Sequence, residues 1–387
     1  MPDAVPDQTP AQGHRLNNFD ALRLLAASLV VVAHSYALTG RLGPWADHGL
    51  DFGLIGVTTF FAISGFLVTS SWRAQPRVYP FAAKRLLRIV PALVVIVLLC
   101  AYAMGPLVTN LSAGAYLSDW QTHSWVIHNS LFDPIYQLPG VFTDHPNTAA
   151  NGSLWSLAVE IRAYALVMFC GLLGFFAGWR VALLVAIGVA FAALSVPSVW
   201  SSLDPSAQHT IRDVVGAGAS GTTVMIAFVA GMLISIERRR VHLRTVAGVF
   251  AGAAFLLSYW LSDDARTVLL PLALAYLVIF LAYRTPPMPW LTRWGDASYA
   301  IYLLAFPVEQ LTISWLGNGA SPSAVIAIAL PVCWALALVS WRLVEAPMLQ
   351  LKSRLPKAGR RRPTRVASAP TTEAPPSGSA APVAERT

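Results

Sequence analysis

Charged residues are scarce in this chain of 387 residues, and their scarcity excludes most soluble proteins. Only 12% of the residues are Asp, Glu, Lys or Arg, whereas 56% are hydrophobic. A soluble domain carries about a quarter charged residues. Cysteine is also scarce, and Cys100, Cys170 and Cys333 all lie in apolar runs without the spacing of a disulfide framework or a metal site. We therefore expect an integral membrane protein whose cysteines are small core residues.

Basic residues outnumber acidic ones, which gives a formal net charge of +8 and a pI near 9.7. Such a charge is compatible with nucleic-acid binding, but the Lys and Arg residues cluster in short loops and in the tail. That distribution is typical of a membrane protein that is oriented by its charges. We expect the lipid bilayer as a partner and no nucleic acid.

The long apolar runs predict an all-α integral membrane protein, a polytopic bundle of about ten transmembrane helices. The first run resembles a signal peptide, but further hydrophobic segments follow it, so we interpret it as a span. The fourth and fifth spans are separated only by Gly178-Trp-Arg180. The predicted segments are, approximately, 18–38, 52–72, 89–109, 153–176, 180–199, 216–236, 246–262, 267–283, 297–316 and 323–344.

The basic residues predict the orientation of these spans. If the N-terminus is cytoplasmic, nearly every cluster of Lys and Arg lies in a cytoplasmic loop, as the positive-inside rule requires. An even number of spans then puts both termini in the cytoplasm, so we expect a multi-pass protein of the plasma (inner) membrane. The basic segments are Arg73–Arg88, the turn at Arg180, Glu237–Arg244, Arg284–Arg293 and Lys352–Arg365.

Composition also predicts the domain boundaries. Residues 1–16 are polar and are expected to form a disordered cytoplasmic N-terminus. Residues 17–350 form the expected transmembrane domain. Residues 351–387 are basic and then rich in Pro, Ala and Ser, which predicts a disordered cytoplasmic tail. The longest external loop is expected at 110–152, and its histidines lack metal-ligand spacing, so we expect solvated rings and no metal. They are His123, His128 and His145.

Two ionisable residues, Arg23 and His34, lie inside the first predicted span. Ionisable groups at membrane depth are costly and usually functional. Eleven residues at about 100° each make three turns plus about 20°, so the two side chains share one helix face. Asp20 lies one turn before Arg23 on the same side. At about 1.5 Å per residue the pair is separated by roughly 16 Å, which suits the two ends of one elongated ligand.

Glu160 is a second buried charge, about two turns inside the fourth predicted span. Its depth is close to that of His34, and a carboxylate there could orient a catalytic imidazole. A local pair with Arg162 or Tyr164 is an equally good interpretation.

A basic cluster lies between the second and third predicted spans. The helical spacing of Lys84, Arg85 and Arg88 puts them on one side, where they could hold phosphate groups. Positive-inside anchoring explains the cluster as well. In the second span, Ser64-Gly65 is typical of close helix packing.

Several stretches together resemble the membrane acyltransferase type 3 family, which includes polysaccharide O-acetylases. They occur in the family's order, and the resemblance covers roughly residues 17–350. Many relatives carry a histidine where this chain has Ala305, so a role for a second histidine cannot be transferred. The matching stretches are Asn18-Phe-Asp-Ala-Leu-Arg23, the Arg23–His34 spacing, Phe60–Leu67, Lys84–Pro91, Asn151–Glu160, Ser298–Leu303 and Arg342–Pro347.

The resemblance implies a membrane-integral O-acyltransferase that takes an acyl group, expected to be acetyl, from cytoplasmic acyl-CoA. The acceptor would be a hydroxyl of a carbohydrate or glycolipid in the cell envelope, and acyl-CoA would be a substrate rather than a permanently bound cofactor. His34 would act as a base or carry the acyl group, with Glu160 orienting it. The residues expected to bind CoA are Arg23, Lys84, Arg85 and Arg88. Those expected to bind the acceptor are Asn151, Trp155 and Tyr164.

Two other classes of protein remain as alternatives. A transporter or flippase of a glycan or an acyl-bearing molecule would also have many spans and buried charges. No inverted repeat of broken helices is visible in the sequence, which weighs against it. A structural membrane scaffold leaves the alignment of Arg23 with His34 unexplained.

Overall fold

The structure, a computed structural model, describes residues 17–44, 46–238, 243–292 and 295–351. The predicted disordered segments, 1–16 and 351–387, lie outside these residues except for Leu351. So do the middle of the basic run 237–244 and Arg293.

Helices make up all the regular structure in the part of the chain that is described, so the predicted all-α class is confirmed. Short helical segments connect the longer ones at Ala46–His48, Gly105–Val108, Ala113–Ser118, Gly152–Leu154, Gly178–Arg180, Pro197–Ser202, Ser258–Trp260, Pro289–Thr292 and Ala346–Gln350. The longer helices are α1 (Phe19–Leu38), α2 (Phe52–Ala74), α3 (Val78–Leu98), α4 (Trp120–Ser130), α5 (Trp155–Leu172), α6 (Val181–Ser195), α7 (Pro205–Val215), α8 (Ala219–Ile236), α9 (Thr245–Leu257), α10 (Asp263–Arg284), α11 (Ser298–Leu316) and α12 (Pro322–Ser340).

Eight helices of the described chain are long and apolar enough to cross a membrane. They contain α1, α2, α3, α5, α6, α8, α10 and α12. Of the other two predicted spans, the segment Thr245–Trp260 is apolar but shorter. Helix α11 has 19 residues, but Glu309 and Gln310 make it less apolar, and most of its side chains are buried inside the bundle. The chain is therefore a polytopic membrane protein. Helices α5 and α6 are separate helices, as predicted from the short stretch between the fourth and fifth spans.

Helix α3 begins earlier than predicted, at Val78 rather than at residue 89. The basic segment Lys84–Arg88 is therefore part of the helix and does not merely flank it. A π-helical turn at Leu99–Met104 continues α3 toward the long loop. A second π-helical turn, Trp341–Glu345, continues α12 in the same way. The predicted span started at residue 89 because arginines without known buried partners are placed outside the membrane, although their helical spacing was recognised.

Helix α2 packs closely against α8 because each helix contributes a glycine to their contact. A Cβ atom at Gly65 would lie 2.0 Å from the carbonyl oxygen of Phe228 on α8. On the other side of the same contact, a Cβ atom at Gly231 would lie 2.4 Å from the carbonyl oxygen of Ala62. The backbones of α2 and α8 therefore touch, which confirms the packing interpretation of Ser64-Gly65.

The bundle has two ends that carry different chemistry. We call the end where α1 and α11 begin the arginine end, because Arg23 and Arg88 lie there. We call the opposite end the histidine end, because α1 reaches His34 near it. The connection 109–151 packs at the histidine end, where Trp125 of α4 is buried and the backbone of Asn110 bonds to Gly140.

Candidate active site

The arginine end holds a buried ion-pair cluster centred on Asp296. One oxygen of this residue, Oδ2, lies 2.7 Å from Nη2 of Arg88 and 3.6 Å from Nη1 of Arg23. Arg23 also lies 3.5 Å from Oδ1 of Asp20, one turn away on α1. Ser298 donates its hydroxyl to the other oxygen of Asp296 at 2.6 Å. Both Arg23 and Arg88 are therefore held by carboxylates inside the bundle.

Asp296 precedes α11, outside the spanning helices, and is 7% exposed. Burial alone would raise the pKa of its carboxyl. The positive charges of Arg88 and Arg23, together with the hydrogen bonds from Ser298 and Arg88, outweigh burial and hold the pKa well below its ordinary value. Asp296 is thus ionised throughout the physiological pH range. Sequence analysis missed it, because an Asp in a short connection gives no sign of burial.

Arg85 differs from the two paired arginines. Its guanidinium carbon lies 5.7 Å from the ring centroid of Phe81 and 5.7 Å from that of Tyr164. Among the described residues no carboxylate lies within ion-pair distance of Arg85, and its Nε is buried without a hydrogen-bond partner. A buried cation without a partner is costly, so an anionic group would be bound favourably here.

These arginines line a cavity of about 370 Å³ inside the bundle. The same cavity contains Glu160 and Tyr164, so five of the sequence-predicted site residues meet in one place. His34 is not among the lining residues. They are Asn17, Phe19, Asp20, Arg23, Val57, Phe60, Phe61, Ser64, Leu67, Val68, Arg85, Arg88, Ile89, Ser156, Leu157, Glu160, Tyr164, Ser298, Tyr299 and Tyr302.

Lys84 does not join the other basic residues. Its Nζ donates to Oε1 of Gln75 at 2.7 Å, in the connection between α2 and α3, and the side chain does not line the cavity. The expected grouping of Lys84 with Arg85 and Arg88 is therefore corrected. Adjacent residues on a helix point about 100° apart, so only one of the pair Lys84 and Arg85 can face the interior.

Glu160 makes the local pair that the sequence left as an alternative. Its Oε1 accepts a short hydrogen bond from the hydroxyl of Tyr164, one turn further along α5. Ser64 in turn donates to the Tyr164 hydroxyl at 3.4 Å. Both Glu160 and His34 are described, and no ion pair joins them. The expected orientation of His34 by Glu160 is therefore replaced by a different contact.

Glu309 is the carboxylate beside His34. Its Oε2 lies 3.5 Å from Nδ1 of His34, and its Oε1 accepts a hydrogen bond from Ser35 at 2.6 Å. Phe306, one turn earlier on α11, contacts the imidazole edge-to-face with ring centroids 5.2 Å apart. Sequence analysis missed Glu309, although the rule that identified His34 applies equally to a glutamate in an apolar helix.

Two predicted acceptor-binding residues have separate positions. The Asn151 amide donates to the carbonyl of Leu303 and accepts from the backbone of Ser153, so it joins α11 to the start of α5 and is fully buried. Trp155 lines a more open groove of about 500 Å³ together with Tyr136. Of the three residues expected to bind the acceptor, Asn151, Trp155 and Tyr164, only Trp155 lines this groove, which lies at the histidine end.

His145 is buried and not solvated as expected. Its Nδ1 bonds to Oε1 of Gln310 at 2.7 Å and its Nε2 to the hydroxyl of Ser314 at 3.1 Å. The Gln310 amide also donates to the carbonyls of Asn147 and Ala149. The long connection is thereby fastened to α11 next to Glu309. In the described chain no three His, Cys, Asp or Glu side chains are grouped as metal ligands.

Comparison with known proteins identifies the family. The model of a family described as an acyltransferase domain, the type 3 acyltransferases, matches residues 16–342. Because the match covers most of the chain, this protein belongs to that acyltransferase family. The resemblance seen in the sequence motifs is confirmed, and so is the enzyme class.

Relatives extend over nearly the whole chain. An O-acetyl transferase of Shigella phage Sf6 is 30% identical over 348 residues, which is 88% of this chain and 98% of the relative. Nodulation protein 10 of Rhizobium leguminosarum bv. viciae is 31% identical over 385 residues, covering 90% and 97%. The peptidoglycan O-acetyltransferase OatA of Listeria monocytogenes is 25% identical over 369 residues, covering 86% and 55%. No solved structure matches the chain.

Proposed function

We propose that this acyltransferase moves an acyl group, in the simplest case acetyl, from cytoplasmic acyl-CoA to a hydroxyl of a cell-envelope or exported glycan. One observation carries the proposal. A single continuous helix bears Arg23 in an arginine-lined cavity and His34 about 16 Å further along the axis. The names of two relatives, an O-acetyl transferase and a peptidoglycan O-acetyltransferase, support acetyl as the group and a glycan as the acceptor.

The cavity binds the donor. Arg85, which has no carboxylate partner in the described chain, takes a phosphate of CoA, and the paired Arg23 and Arg88 add positive potential around it. Further along, the hydroxyls of Tyr164 and Tyr302 and the carboxylate of Glu160 offer hydrogen bonds to the amides of the pantetheine arm. CoA is a substrate in this proposal, and no resident cofactor is required.

His34 performs the transfer at the end of this path. As a general base, its imidazole removes the proton of the acceptor hydroxyl while the oxygen attacks the thioester carbonyl. The carbon–sulfur bond then breaks, and the proton passes from the imidazolium to the departing thiolate. Alternatively, the imidazole attacks the thioester carbonyl first, and the carbon–sulfur bond breaks as the CoA thiolate leaves. The hydroxyl then takes the acyl group from the imidazole and leaves its proton there, from which it passes to the thiolate. Trp155, in the groove at the histidine end, can stack on a sugar ring of the acceptor.

The proposed reaction needs its two substrates on opposite sides of the plasma (inner) membrane. The arginine end would face the cytoplasm, and both termini would lie there too. A reporter fused after Lys352 should then be cytoplasmic, and one inserted near Asn147 should be external. If both reporters give the same side, the assigned entry sides of donor and acceptor are wrong.

Labelled acetyl-CoA supplied to membranes that contain the protein and its glycan tests the reaction itself. We expect label in the glycan that mild alkali releases as acetate, because an ester is formed. Membranes with His34→Ala at equal protein amount are the matched control and should remain unlabelled. Movement of glycan or acyl-CoA across sealed vesicles without ester formation would instead identify a transporter.

A further inference from the structure

A buried carboxylate at the histidine end, that of Glu309, lies beside His34. Glu309 is 0% exposed, although it lies in the middle of α11 among apolar side chains. From its contacts we infer that Glu309, held in place by Ser35, is the positioning residue of His34. The inference rests on the proposed function, because it concerns the base of that reaction.

The two carboxylate oxygens of Glu309 have different partners. Oε1 is fixed by the Ser35 hydroxyl at 2.6 Å. Oε2 faces Nδ1 of His34 at 3.5 Å. Neither Oε2 nor Nδ1 has a hydrogen-bond partner in the described chain, and both atoms are buried. Because buried polar atoms rarely stay unpaired, each is the natural partner of the other. Hydrogen bonds of this kind are often long before substrate binds and shorten in the complex.

This contact decides which imidazole nitrogen carries the hydrogen. In the pair that we infer, ionised Glu309 only accepts hydrogen bonds, so Nδ1 carries the hydrogen and Nε2 keeps its lone pair. The His34 side chain is 21% exposed, and Nε2 is neither bonded nor fully buried among the described residues. Nε2 is therefore the atom that takes the acceptor proton. Glu309 then stabilises the imidazolium until the proton passes to the CoA thiolate.

Chain geometry also explains why the carboxylate comes from α11. Ser35 follows His34 directly on α1. The hydrogen bond from Ser35 therefore holds the Glu309 carboxylate of α11 level with the imidazole of His34. Ala305 is buried one turn before Glu309 on the same side of α11. The space next to His34 is thus filled by Phe306 and Glu309 and not by a second imidazole.

The experiment compares variants for initial rates of acetyl transfer to native glycan in membranes, at several acetyl-CoA concentrations and equal protein amounts. In Glu309→Gln, we expect kcat to fall about 100-fold with the donor KM unchanged, because only the base is affected. Glu309→Asp should recover at least about tenfold of that loss, since it keeps the charge. Thr312→Val is the matched control, because Thr312 is also buried in α11 and its hydroxyl, among the described residues, bonds only to the carbonyl of Val308. It should transfer like the wild type.

A purely structural Glu309 would give a different pattern. In both Glu309 variants the amount of protein would then fall and the donor KM would rise, and Glu309→Asp would not restore kcat. If Glu309→Gln fails to accumulate, Ser35→Ala decides instead: a several-fold fall in kcat with unchanged donor KM supports positioning, and unchanged kcat overturns it. Near-normal kcat in Glu309→Gln overturns the inference alone. A wild type that never forms the ester overturns the proposed function and the inference with it.

Discussion

The two ends of the bundle both hold buried charges, but they arrange them differently. At the arginine end, Asp296 holds Arg23 and Arg88, while Arg85 keeps no carboxylate partner in the described chain, and the group surrounds a cavity of about 370 Å³. At the histidine end, His34 and Glu309 face each other outside that cavity. An unpaired cation beside empty space is typical of anion binding, whereas an acid and a base in contact are typical of proton transfer.

The largest effect should follow from losing the base at the histidine end. His34→Ala should reduce transfer by about 10³-fold or more, in the range measured for general bases and nucleophiles, and leave acyl-CoA affinity in detergent nearly unchanged. Rates and affinity measured on the same preparation check both parts. Loss of affinity with little loss of rate would reverse the roles of the two ends.

At the arginine end the largest effect should be on stability. Asp296→Asn leaves Arg88 without its carboxylate and Arg23 with Asp20 alone, which should cost about 3 kcal/mol, the lower end of the range for a broken buried ion pair. The pKa of Asp296 is lowered in the folded protein, so its contribution is complete above the unfolded value of about 3.9 and is lost only as pH falls further.

Thermal unfolding in detergent, measured for the wild type and Asp296→Asn, checks this pH dependence. The difference in unfolding midpoint should be constant between about pH 5 and pH 8 and should shrink only below about pH 4. A difference that closes between pH 8 and pH 5 would show that the ion pair is not formed as described.

Donor binding should depend on Arg85 more than on Arg23 or Arg88, because Arg85 has no carboxylate partner among the described residues. Arg85→Met removes this cation and should raise the donor KM about 10- to 100-fold, the range for a hydrogen bond to a charged group. Arg23→Lys keeps its charge but loses the planar fork, so it should weaken acyl-CoA binding by a smaller factor. A larger rise in donor KM in Arg23→Lys than in Arg85→Met would show that Arg23, and not Arg85, binds the CoA phosphate.

The smallest effect should be that of Lys84→Ala, the neighbour of Arg85 that lies outside the cavity. We expect the donor KM to stay within about twofold of wild type, as for surface substitutions in general. It is therefore the matched control for Arg85→Met. An equal rise in donor KM for both variants would mean that net charge, and not position, controls binding.

Sequence periodicity predicted the separation of Arg23 from His34 correctly, because both lie on one continuous helix whose rise and turn are constant. It could not predict the partner of His34. The depth of Glu160 was estimated from its distance to the helix start, but depth does not determine which way a side chain faces across the bundle. Glu309 and Asp296 are both more than 270 residues from the arginine or histidine that they contact on α1, so only tertiary packing brings them together.

The helices of the first half were predicted well where apolar runs are bounded by turns, as at α1 and α2. They were predicted poorly at α3, where Arg85 and Arg88 look like the edge of a membrane but face an interior cavity. Buried charges of this kind break the apolar pattern from which spans are predicted. Functional positions are thus where sequence patterning is least informative about helix limits.

The backbone contact between α2 and α8 at Gly65 and Gly231 has a consequence for how the family can diversify. Helix α2 contributes Phe60, Phe61 and Ser64 to one wall of the donor cavity. This wall cannot move outward without separating α2 from α8, whose main chains are in contact. Room for a bulkier donor must therefore come from the facing wall, where Tyr164 and Tyr302 can be replaced by smaller residues at no cost to the contact between α2 and α8.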